Sequence, residues 1–144
     1  MLEGEVPRMS ITGLPPYNDK NIFARILRGD LPCEKIYEDD FVFAFRDIHP
    51  QAPTHVLVIP KRNYVSLIDF GANATTEEMA GLMRGVSHVA KKLSLEEDGY
   101  RVVVNVGQNG HQEVSHLHVN LLGGRQFTHE LVLSAPGKES ENPG

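Results

Sequence analysis

Apolar residues along the chain follow two different periods, and the switches between them mark out the elements. Ile22, Phe23, Ile26 and Leu27 stand at helical spacing between Asp19, which can cap a helix, and Gly29, which can stop one. They predict a short N-terminal helix with one apolar face. From Glu34 the period becomes two. Residues 35–38 read as a strand, Asp39 and Asp40 as a turn, and 41–47 as a second strand in which Phe41, Phe43 and Phe45 alternate with Val42, Ala44 and Arg46. Two strands joined by so tight a polar turn predict an antiparallel hairpin. After a loop holding Pro50 and Pro53, residues 55–59 form a third apolar strand ended by Pro60, and 64–70 fit a short helical piece.

Thr75 followed by Glu78 is a capping-box pattern ahead of Met79, Leu82, Met83, Val86, Ala90 and Leu93. This stripe predicts a long amphipathic helix ending near Leu95 and packed on the sheet. His88 falls within it without an evident partner and reads as a surface histidine. Residues 101–106 and 114–122 read as two further strands around a turn-rich loop, 107–111, with Gly123-Gly124 closing the second. About five strands, a hairpin and a long crossover helix predict an α+β domain with a mainly antiparallel sheet. Residues 1–19, with Gly4, Pro7, Gly13, Pro15 and Pro16, read as an extended, partly mobile arm; 20–127 form the domain, and 128–144 a C-terminal tail.

Composition refines this picture in a few places. A length of 144 residues suits a single core without staples. The formal net charge of −5 argues against a duplex nucleic-acid partner, which calls for a basic face, but leaves room for a small anion held by local donors. Cys33 is the one cysteine, so no intrachain disulfide or cysteine-based zinc cluster is expected, as suits a reducing compartment. No apolar run approaches the roughly 20 residues that span a bilayer. The stretch from Met1 to Asp19 lacks the basic start and apolar core of a signal peptide. The expectation is a cytoplasmic protein without membrane or nucleic-acid partners.

The chemistry concentrates in residues 112–125. On a strand, residues two apart share a face, so His116, His118 and Asn120 form a polar row while Leu117, Val119 and Leu121 enter the core behind it. Three readings fit: a nucleophilic histidine site, a metal site completed by His55, or a solvated strand. The metal reading lacks a carboxylate in register to complete or orient the ligands.

The segment His116-Leu117-His118-Val119-Asn120-Leu121-Leu122 resembles the motif of the histidine-triad superfamily, His-φ-His-φ-His-φ-φ with φ apolar, and most of all its Hint branch of nucleoside phosphoramidate hydrolases. The resemblance runs from Asn21 to Phe127. It takes in Phe45-Arg46-Asp47-Ile48-His49-Pro50-Gln51-Ala52-Pro53-Thr54-His55, then Val56 to Lys61, Tyr100 to Gly107, and Gly123-Gly124-Arg125. It implies a HIT-like fold and a reaction in which His118 attacks a nucleotide α-phosphorus to give a nucleotidyl-histidine that water cleaves. His116 and His55 would support the nucleophile and the phosphate, with a main-chain carbonyl fixing the His118 tautomer. The main-chain N–H groups around Glu113 and Val114 would bind phosphate oxygens, with Gln112 as a further side-chain donor and Asn105 orienting the phosphate side. Asp47 would accept the ribose hydroxyls, and Ile22, Phe23, Ile26, Leu31, Phe45 and Ile48 would enclose the base. The implied ligand is a purine nucleotide of the AMP or GMP type, the implied assembly a homodimer through the long helix and a neighbouring strand, and no cofactor is implied.

Three departures matter. Asn120 stands at the third histidine, where it can hydrogen-bond but cannot carry a proton. Glu113 replaces a serine of vertebrate-type relatives and is similar to bacterial ones. Asn21-Ile22-Phe23-Ala24 replaces the Cys-x-x-Cys of zinc-bearing relatives, so no metal is expected. Dinucleoside polyphosphate hydrolysis, nucleotidyl transfer, and catalytically weak nucleotide binding stand as the alternatives.

Overall fold

The computed structural model describes residues 11–129. Five strands form one antiparallel sheet in the order β1-β2-β3-β5-β4. They are β1 (Lys35–Glu38), β2 (Val42–Arg46), β3 (Thr54–Pro60), β4 (Arg101–Val103) and β5 (Val119–Gly123). Three helices accompany them: α1 (Ile22–Leu27), α2 (Leu67–Asn73) and α3 (Thr76–Lys92). The expected α+β architecture is present, including the hairpin and the long helix.

Both faces of the sheet are covered, which is why the alternation in β2 has no solvent side. Val42 and Ala44 join Val56, Val58, Val119 and Leu121 beneath Leu82, Val86 and Val89 of α3. Phe45 turns the other way, packing with Phe23 of α1, Leu57 and Ile59. α3 settles closely on β2 because it presents glycine there. A Cβ at Gly81 would lie 2.5 Å from Cγ of Phe41, and one at Gly85 would lie 2.6 Å from Cγ2 of Val42. The apolar stripe expected on this helix is rotated accordingly. Leu82, Val86 and Ala90 are buried, whereas Met79 and Met83 face outward, Met83 with 60% of its surface exposed. The Thr75–Glu78 capping box forms as expected.

Four local expectations change. The cap of α1 is Asn21, whose Oδ1 accepts from the N–H groups of Phe23 and Ala24, and not Asp19. The helix expected over 64–70 begins later, because Ser66 and Asp69 make a second capping box. His88 is not isolated: its ring lies 5.9 Å from that of Tyr37. The strand expected from Val114 starts at Val119, and the one expected over 101–106 ends at Val103. Before β5 the chain bonds instead to the segment after β3 and to the preceding loop: the Leu117 N–H donates to the Tyr64 carbonyl at 2.8 Å and the Gln112 N–H to the Gly107 carbonyl at 3.0 Å.

The described part of the N-terminal arm, residues 11–19, lies on this same segment. Ser66 Oγ donates to the Gly13 carbonyl at 2.6 Å, and Tyr17 reaches His116. Residues 1–10 and 130–144 of the expected arm and tail lie outside the described residues.

Candidate active site

The site is built on the α1 side of the sheet, where β3 and β5 run side by side. Asn120 of β5 pairs with Leu57 of β3 and Val103 of β4, while Leu117, Val119 and Leu121 enter the core on the opposite side. The polar row expected from the sequence is therefore real in direction, although only Asn120 of its three members lies in a regular strand. It is also buried: His116 is 0%, His118 8% and Asn120 4% exposed. A solvated strand is excluded by that burial.

The hydrogen bonds around the three histidines assign their protons, because carbonyl oxygens only accept and main-chain N–H groups only donate. His118 Nδ1 lies 2.7 Å from the carbonyl of His116, so Nδ1 carries the proton and Nε2 the lone pair. His116 Nε2 lies 2.9 Å from the Pro60 carbonyl, so its proton is on Nε2. His55 Nδ1 accepts the Gln51 N–H at 3.0 Å, which leaves His55 Nε2–H to donate to Asn120 Oδ1 at 2.9 Å. Asn120 Nδ2 in turn donates to the Val103 carbonyl at 3.1 Å.

These bonds leave the three rings unequal. The lone pairs of His55 and His116 each receive a protein donor; among the described residues, none reaches His118 Nε2. A three-histidine metal site would have to break two of these bonds, and no group of three or more His, Cys, Asp or Glu side chains among the described residues is placed to hold a metal ion. Burial pushes the His118 imidazolium pKa below its ordinary value, against the opposing pull of Glu113 and Asp47. Burial drives His116 down to about 4. Both rings are neutral near pH 7, and of the three it is His118 whose imidazole lone pair meets no donor among the described residues. That is the arrangement a nitrogen nucleophile requires.

The other expected residues divide by burial. Phe23 and Phe45 form a floor: their rings are 5.4 Å apart, and Phe23 stands edge-on to His118 at 5.1 Å. Ile26 packs at the margin of that cluster and Leu31 is half-buried. Ile22 and Ile48 are exposed, by 47% and 83%, two large apolar side chains without a core to fill. Asp47, between β2 and the Pro50 loop, accepts from the His49 N–H at 2.7 Å and lies 3.7 Å from His55 Nε2. Glu113 is exposed, its carboxylate 3.3 Å from His111 Nε2, while Val114 packs against the Phe23–Phe45 cluster. Asn105 is half-buried in the chain following β4.

Gln112 has a different place from the one expected. Its Nε2 donates to the carbonyls of Val65 (2.8 Å) and Val114 (2.9 Å), and its Oε1 accepts the Gly107 N–H at 2.9 Å. With both amide hydrogens committed, it braces the loop and has none left for a phosphate. Tyr17, Ser66 and the Pro60 carbonyl went unnoticed in the sequence. Only Ser66 carried a local signal, the Ser-x-x-Asp spacing with Asp69.

Known proteins resemble this chain in sequence and overall fold. The family model of the HIT domain matches residues 28–127. A 13.2 kDa HIT-like protein of Azospirillum brasilense is 52% identical over 111 residues, covering 77% of this chain and 91% of that one. The purine nucleoside phosphoramidase of Escherichia coli K12 is 44% identical over 108 residues, covering 74% and 89%. The crystal structure of a HIT family hydrolase from Legionella pneumophila superposes with a TM-score of 0.70 at 43% identity, covering 75% of this chain and 96% of that one. The chain belongs to the HIT-domain family.

Proposed function

We propose that this protein is a nucleotide hydrolase that cleaves nucleoside 5′-phosphoramidates at the α-phosphorus through a nucleotidyl intermediate on His118. One observation carries the reading: the 2.7 Å bond from His118 Nδ1 to the His116 carbonyl, which fixes the lone pair on Nε2 of a buried, neutral ring. That lone pair forms the P–N bond as the bond to the leaving amine breaks, the amine taking its proton from water. Water then attacks the phosphorus, releasing the nucleoside monophosphate and restoring the neutral imidazole.

The remaining residues take roles suited to their positions. Asp47 accepts the ribose hydroxyls, and Ile22 and Ile48 close on the base above Phe23 and Phe45. The main-chain N–H groups of Glu113 and Val114 face the charge that develops on phosphate. The name of the Escherichia coli relative supports a purine nucleotide as the ligand. A homodimer through α3 and the sheet-edge strand β4, acting in the cytoplasm, completes the proposal. β4 presents Val102 and α3 presents Met83 to the outside.

The test is turnover on a panel of adenosine and guanosine phosphoramidates, acyl-adenylates and dinucleoside polyphosphates, with and without a chelator. The phosphoramidates are expected to be cleaved at equal rates in both arms, and His118→Ala to bind nucleoside monophosphate without turnover. Cleavage by His118→Ala at the wild-type rate would overturn the reading.

A further inference from the structure

Tyr17 lies before the residues that the HIT domain model matches, yet it reaches into the site. Its phenol oxygen stands 2.5 Å from Nδ1 of His116, and the two rings meet edge-on at 5.5 Å and 73°. The direction of this bond is fixed. His116 Nε2 carries the ring proton because it faces the Pro60 carbonyl, so Nδ1 must accept and the Tyr17 hydroxyl must donate. His116 is fully buried and burial holds its imidazole neutral, so Nδ1 needs a donor that solvent does not supply.

The main-chain carbonyl of the same residue accepts from His118 Nδ1. One residue therefore has its ring held at both nitrogens and its carbonyl set against the candidate nucleophile. The strap that carries Tyr17 is itself fastened: four residues earlier, the Gly13 carbonyl accepts from the Ser66 hydroxyl at 2.6 Å. Gly13 has φ +77°, and a Cβ there would lie 3.2 Å from the Gly107 nitrogen, so only glycine lets the strap lie against that loop without strain.

We propose that Tyr17 is a positioning residue for the reaction: its hydroxyl locks the His116 ring, and through it the carbonyl that orients His118. The proposal rests on the reading of His118 as nucleophile.

The test is Tyr17→Phe in the full chain, which removes one oxygen and keeps the ring. Imidazole ¹⁵N NMR of the wild type is expected to show His116 protonated at Nε2, with a hydrogen-bonded acceptor at Nδ1. In the variant the Nδ1 resonance moves toward that of a free acceptor and the His118 Nδ1–H signal broadens. kcat falls about tenfold or more while KM stays within about twofold, as loss of orientation without loss of binding requires. Unchanged kcat in a folded variant, or a wild-type His116 protonated at Nδ1, overturns the role of Tyr17. A wild type without turnover defeats the functional reading instead, and the His116 tautomer then still decides whether Tyr17 is the donor.

Discussion

His55 Nε2–H and Asn120 Oδ1, 2.9 Å apart, join β3 to β5 at the last position of the polar row that starts at His116. Asn120 also holds the Val103 carbonyl through Nδ2, so both ends of its amide are used within the protein. An asparagine here ties the site together but cannot carry positive charge toward a phosphate.

Asn120→His is expected to supply such a group. A charge-assisted hydrogen bond contributes about 1.5–3 kcal/mol, so single-turnover rates on a phosphoramidate should rise on the order of tenfold or more. Asn120→Ala should instead leave the buried His55 Nε2–H without its partner and lower stability in urea by about 1–3 kcal/mol. A variant histidine no faster than wild type would show that Asn120 is no handicap.

The pH dependence follows from burial of the two central rings. His118 must be neutral to attack, and its lowered pKa keeps it so at pH values where an exposed histidine is charged. kcat/KM should therefore hold level as pH falls through 6.5, with its acid limb below that value. Stability should behave differently. His116 has a folded-state pKa of about 4 against 6.5 in the unfolded chain, so the unfolded chain binds more protons between those values. The contribution is complete above pH 6.5 and is lost as pH falls toward about 4. Urea midpoints measured from pH 8 to pH 4.5 should be flat and then decline; a midpoint that rises on acidification would contradict the neutral assignment.

Much of the fold was readable because its signals are local. The Thr75–Glu78 box lies three residues apart, and the alternation in β2 and the apolar run of β3 are properties of consecutive positions. The direction of the row from His116 to Asn120 was readable for the same reason. Its support was not. Tyr17 meets His116 across 99 positions, and Gln112 meets the Val65 carbonyl across 47. No periodicity records such pairings. The strand overreach at Val114 has the same origin: β-branched and alternating residues satisfy a strand pattern, but the Leu117 N–H donates to the Tyr64 carbonyl after β3 and the Gln112 N–H to the Gly107 carbonyl. Nor does a helical wheel reveal that Gly81 and Gly85, not Met79 and Met83, lie on the tight side of α3.

That tight side gives a contrast in sign. Gly85→Ala gains helix propensity, but its Cβ would meet the buried Val42 side chain, so a net loss of about 1–3 kcal/mol is expected. Gly71→Ala, in α2, has nothing within 4 Å and should gain about 0.4–1 kcal/mol. Thermal unfolding of the two variants beside wild type checks the packing directly, and equal gains in both would refute it.

The central claim is that His118 Nε2 becomes covalently bonded to the nucleotide, and intact-mass spectrometry after rapid quenching tests it most directly. With an adenosine phosphoramidate in excess, wild type should gain the mass of one adenylyl group, mapped to His118 by peptide sequencing and absent from His118→Ala. Turnover without any such adduct, or an adduct mapped to His55 or His116, would contradict the account.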